Sequence, residues 1–205
     1  MTEPLSSPPS VVRHRVHLRR IECEGFARDD GLFDIEGTLV DTKPTALELP
    51  ERHVLPNAPI HHMRLRLTVG RDFVIREAVA QSLETPYGVC GRIAPAYAQL
   101  AGLRIEAGFT QRVKRMFRGI EGCSHLTELL PVMATTAFQI IWSDRDNFDT
   151  AEVGNGRTRG SPLGGCHALR LDGEVVMRYF SHMLEPALPS SSSSASASPA
   201  RTGKD

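Results

Sequence analysis

The chain has 205 residues, and its 24 Lys plus Arg balance 24 Asp plus Glu, for a formal net charge of zero. That balance argues against a nucleic-acid binder working by bulk charge, and with only 6 % aromatic residues a base-stacking platform is not expected. With 40 % hydrophobic and 23 % charged residues and no apolar run of ~18 residues, the composition predicts a globular protein with no membrane or nucleic-acid partner. A small-molecule substrate is the partner class left.

Residues 1–12 hold three prolines and four Ser or Thr, and read as a flexible N-terminus without the basic and apolar regions of a secretory signal. Cys23, Cys90, Cys123 and Cys166 lie far apart. Reduced thiols and a cytoplasmic location are expected from these two features. Residues 13–27 and 32–41 read as a hairpin around Arg28-Asp29-Asp30-Gly31, where Asp-Gly supplies the positive φ of a tight turn. In the second strand, Phe33, Ile35, Gly37 and Leu39 alternate with Asp34, Glu36 and Thr38, giving one apolar and one polar face. A proline-bearing connection over 44–59 follows. His61, Met63, Leu65, Leu67 and Val69 then alternate with His62, Arg64, Arg66 and Thr68. Residues 73–83 are its antiparallel partner across a Gly70-Arg71 turn.

Helices come next. Residues 95–101 predict a short helix with Pro95 at its start. Phe109, Val113, Met116 and Phe117 mark a second, stopped by Gly119. Ser124 caps a longer one, carrying Leu126, Leu129, Leu130, Met133, Ala137, Ile140 and Ile141 at helical spacing, which Pro131 should kink or split. Residues 157–165 read as a Gly-rich loop, and 166–171 with 174–180 as a last hairpin. Residues 186–205, with seven Ser, four Ala and three Pro, have little to bury and read as a disordered tail. The expected fold is α+β over 13–185: a four-stranded antiparallel sheet of two hairpins, followed by helices packed on one face.

Three groups of residues suggest chemistry. Cys123 immediately precedes a predicted helix, where dipole and unpaired amides favour a thiolate, and His125 and Glu128 share a face three residues apart. Cys-x-His-x-x-Glu suits a nucleophile with its base, or part of a metal site. A buried small cysteine beside a polar capping cluster is the plainer alternative. The acidic group is Asp29, Asp30, Asp34, Glu36 and Asp41. Asp34 and Glu36 could divide acid and base roles, or pair with Arg13, Arg15, Arg19 or Arg20 on the facing strand. Asp41 continues the apolar side of its strand and needs a partner, for which Lys43 is the nearest candidate. His61 faces the core while His62 joins Arg64 and Arg66 outside, so His61 is a candidate base or ligand. Cys166-His167 point to opposite faces and make a poor shared site. The excess of arginine over three lysines, Lys43, Lys114 and Lys204, is read as compositional.

Three segments together resemble the bacterial domain-of-unknown-function family 2889. They are Arg28 through Gly37 with Asp41-Thr42-Lys43, His61-His62-Met63 running into Thr68, and Gly122 through Leu130 with Thr135 through Gln139. The resemblance covers roughly 13–180 and implies a single-domain bacterial protein without assigning an activity. The order of strands then helices, with Cys90 after the last strand and Cys123 at a helix start, also resembles iron–sulfur scaffold proteins of the NifU/IscU type. Those carry their first cysteine in a sheet hairpin loop, where this chain has Asp29-Asp30-Gly31.

The leading expectation is an enzyme acting on a small organic metabolite. Cys123, His125, His61, Asp41 and Glu36 are its candidate catalytic residues, and His61, His125 and Glu128 its candidate metal ligands. The sequence names no cofactor. A metal or iron–sulfur carrier using Cys90, Cys123 and His125, or a non-catalytic accessory protein, are the alternatives.

Overall fold

The computed structural model describes residues 11–143, 152–153, 157–158 and 163–184. It divides into two units, Met1–Phe148 and Asp149–Asp205. The first is built on the two expected hairpins. β1 (Leu18–Ala27) pairs antiparallel with β2 (Phe33–Thr42) across a turn in which Gly31 takes a φ of 81° and Asp30 accepts the Leu32 N–H. The connection that follows holds a small ladder of its own, β3 (Leu47–Glu48) on β4 (His53–Val54). β5 (Pro59–Val69) and β6 (Ile75–Glu84) complete a sheet of order β1-β2-β5-β6.

Strict alternation decides which face is covered. Phe33, Ile35, Leu39, Met63, Leu65 and Leu67 are all buried, because period-2 placement sends them to one side. Asp34, Glu36, Arg64 and Arg66 take the other side and pair there. Asp34 binds Arg28 and Thr68, and Glu36 binds Arg64. Their partners come from the turn and β5 rather than from the arginines of β1.

The covering layer follows in sequence. A 3₁₀ segment, Gly88–Leu100, runs past Pro95 and is longer than the short helix predicted at 95–101. α1 (Phe109–Met116) buries Phe109 and Val113. α2 (Ser124–Ser143) is a single helix of 20 residues that continues through Pro131. Proline in a helix interior costs ~3 kcal/mol, but Leu126, Leu129, Leu130, Met133 and Ala137 on both sides of it are buried in one core. Burial of such side chains contributes roughly 1.5–3 kcal/mol each, enough to carry the helix through the break. The expected split does not occur. Among the described residues, no helix is long and apolar enough to cross a membrane.

α2 seats on two glycines of the sheet. A Cβ at Gly25 would collide with Ile140, and one at Gly37 would fall 2.8 Å from Met133 Sδ. Gly37→Val is therefore expected to cost about 1–3 kcal/mol by overpacking, measured as a lower urea midpoint; an unchanged midpoint would show that α2 rides higher.

In the second unit, β7 (Glu152–Val153) pairs with β8 (Arg157–Thr158), so the expected loop starts as a strand; residues 159–162 of it lie outside the described residues. The hairpin expected over 166–180 is absent. Its second arm is α3 (Glu174–Tyr179), with Gly173 at the N-cap and Met177 N–H donating to the Gly173 carbonyl at 3.0 Å. Val175, Val176 and Tyr179 favour strand locally, yet among the described residues no partner strand is offered and a helical turn buries Val176. The expected tail at 186–205 lies outside the described residues.

Candidate functional site

Strand register assembles the first part of the site. Counting outward from the turn, Ala27 faces Phe33 and Arg19 therefore faces Asp41. On its other side Asp41 faces His61 of β5. Directly opposed residues project to the same face of a sheet, so Arg19, Asp41 and His61 form a row across three strands. The register shifts just after Asp41, where Thr42 faces Pro59, a bulge of the kind that re-aims side chains beside functional sites. The second part comes from α2, whose first turn lays His125 over His61. The rings stack with centroids 3.7 Å apart and planes 25° apart.

Asp41 is the hub. Its side chain is 1 % exposed. Oδ1 accepts from Arg19 Nε at 2.8 Å and lies 3.2 Å from His17 Nε2, and Oδ2 accepts from Arg19 Nη2 at 2.7 Å. The expected partner Lys43 instead reaches the Val16 carbonyl: it lies beyond the strand end, whereas Arg19 is directly opposite. Burial alone would raise the Asp41 carboxyl, but the paired guanidinium, helped by His17 and His125, brings it down to about 2. Arg19 also joins Glu128 through Nη1, which ties Glu128 to the hub without placing it among the imidazoles.

Both histidines are held neutral. His61 is lowered by burial and by its neighbour His125, and His125 by burial and by Arg19. His61 Nδ1 lies 3.2 Å from Asp41 Oδ2, yet is buried without a hydrogen bond of acceptable geometry. His125 Nε2 lies 3.5 Å from Asp41 Oδ2, and its Nδ1 lies 3.9 Å from Cys123 Sγ. Thiol, imidazole and carboxylate thus form one chain of polar atoms.

Cys123 is fixed by a residue that the sequence does not flag. The Thr127 N–H donates to the Cys123 carbonyl at 2.9 Å, which makes Cys123, not Ser124, the cap of α2. The buried Tyr97 hydroxyl accepts the Cys123 N–H at 3.0 Å and donates to its carbonyl at 2.8 Å, with Thr127 Oγ1 at 2.7 Å. Cys123, His125 and His61 open on a cleft of about 700 Å³ in the first unit. Glu36, on the outer face with Arg64, does not join them.

Asp41, His61 and His125 each offer an atom within 4.8 Å of the others, a ligand set suited to a divalent metal. Two features oppose that use. A metal lies in the plane of each ring that binds it, whereas these rings are stacked nearly parallel. The carboxylate oxygens are already bonded to Arg19. Among the described residues, no cysteine belongs to such a group.

The pH response follows from these shifts. Above about pH 6.5 the imidazoles are neutral in the folded and the unfolded chain. Below that value the unfolded chain binds protons that the fold resists, so stability falls with acidification. Asp41 adds a second loss, ~2 kcal/mol, as pH drops from about 4 towards 2. Urea unfolding across this range should show both steps; a midpoint unchanged down to about pH 5 would place the imidazoles in solvent.

The fold and the cleft define a mixed α+β protein with a thiol–imidazole–carboxylate cluster between sheet and helices. The chain belongs to the family described as Protein of unknown function (DUF2889), whose match spans residues 17–139. The hub and its histidines all fall inside that span, while the second unit lies outside it. No curated protein and no solved structure matches the chain, and the likeness to iron–sulfur scaffolds gains no support.

Proposed function

We propose that the first unit is an enzyme acting on a small organic molecule by acyl transfer to Cys123. The chain of contacts from Cys123 Sγ through His125 to buried Asp41 carries this reading. His125 places Nδ1 3.9 Å from the thiol sulfur and Nε2 3.5 Å from the carboxylate, the two sides a relaying imidazole needs. In the reaction the thiol proton moves to Nδ1 and a sulfur–carbon bond forms at an ester or thioester carbonyl. The alcohol or thiol leaves with that proton, giving an acyl-cysteine. Water then attacks the acyl carbon, the sulfur–carbon bond breaks, and the carboxylic acid and free thiol result. Asp41 stabilises the transient imidazolium. His61 is a positioning residue, since its ring fixes the plane of His125.

Intact-mass spectrometry after exposure to p-nitrophenyl esters tests the proposal. One acyl group should appear on the full chain and map to Cys123, and Cys123→Ala should remove it. No adduct on Cys123 with any ester would overturn the reading. A companion measurement uses iodoacetamide. Burial pushes the Cys23 thiol up, whereas Cys123 lines the cleft, so Cys123 should be labelled at least ~tenfold faster through its access. If Cys123 is labelled no faster than Cys23, it is a packing residue.

A further inference from the structure

The cleft has more chemistry than the nucleophile uses. Its walls are apolar. Phe117 is buried at its base, while Ile120 is 93 %, Val89 57 % and Tyr87 44 % exposed, all lining the same space. Large apolar side chains left open around a concave site mark a surface that a ligand covers. Lys114, from the last turn of α1, lines the same cleft. In a chain whose 24 basic residues include only three lysines, this one faces the site. Among the described residues lining the cleft it is the one Lys or Arg, and it makes no ion pair there. Arg19 is shared between Asp41 and Glu128, the acid of the cleft, so the cation left for an incoming anion is the flexible ammonium of Lys114.

We infer that the substrate is an activated ester or thioester whose acyl part is an apolar, aryl-sized body bearing one anionic group, which Lys114 binds. The inference rests on the acyl-transfer reading and adds the substrate class. The apolar walls take the body, Lys114 takes the anion, and the carbonyl is left at Cys123.

Three p-nitrophenyl esters separate these elements: acetate, benzoate, and the mono-ester of terephthalic acid. On the full chain, Cys123 acylation should be fastest for the terephthalate mono-ester, about tenfold ahead of the neutral aryl ester, with acetate slowest. Lys114→Ala should remove the advantage of the anionic ester over the neutral aryl ester; Lys114→Arg should retain most of it. Because Lys114 is exposed, folding is not at stake, and an unchanged iodoacetamide rate at Cys123 confirms an intact site. Equal rates for the two aryl esters, or an anionic preference that survives Lys114→Ala, would overturn the substrate class while the nucleophile stands. No acylation by any ester would sink the acyl-transfer reading itself, and the substrate class with it.

Discussion

Arg19→Met is expected to destabilise the first unit by about 3–5 kcal/mol at neutral pH, because it strands a buried carboxylate. Asp41 is 1 % exposed and receives two of its hydrogen bonds from that guanidinium. The loss should shrink on mild acidification, opposite to the trend of the parent. A proton on His61 or His125, 3.2 and 3.5 Å from Oδ2, replaces the missing positive charge. Glu128→Gln is the control. It removes only the outer, exposed pair, and a change of about 0–1 kcal/mol is expected. Urea titrations at two pH values measure both, and a cost for Arg19→Met below that of Glu128→Gln would show that His17 alone suffices for Asp41.

The second large effect is kinetic. His125→Asn should slow acylation of Cys123 at neutral pH by roughly 10²–10⁴-fold, the usual worth of a positioned general base. The loss should diminish at high pH, where hydroxide forms the thiolate directly. His61→Phe keeps a ring against His125 and removes both ring nitrogens, so it should retain most of the rate if His61 acts only by stacking. A loss with His61→Phe as large as with His125→Asn would make His61 a ligand or base rather than a support, and would favour metal chemistry over the thiol relay.

Much of this architecture is legible in the sequence because two periodicities are nearly pure. β2 and β5 alternate almost without fault, and α2 keeps its apolar spacing across Pro131. The placement of His61 and His62 on opposite faces follows from the same alternation. Elements without periodicity are harder to see. The 3₁₀ segment has no clean repeat, and the ladder of β3 and β4 is two residues per strand. The arm that became α3 shows β-branched residues whose local preference lost to burial. At the site, Asp41 is visible as a carboxylate on an apolar face, but its partner is a matter of cross-strand register. Lys43 is near in sequence; Arg19 is near in space, and counting from Gly31 would have found it. The same parity separates Glu36 from Asp41. Tyr97 gave no polar signal at all, since its hydroxyl meets backbone atoms that only the tertiary fold brings close.

On the acyl-transfer reading, that Tyr97 contact constrains how a substrate would lie. The amide hydrogen of the nucleophile itself is already spoken for by the phenol oxygen. The negative oxygen of a tetrahedral adduct on Cys123 would then be left the next amides along the helix, those of Ser124 and His125, which have no intrahelical acceptor. A carbonyl accepting from those two amides would point at the N-terminal end of α2, so on this reading a phenolic hydroxyl in a neighbouring segment decides which donors an adduct can use.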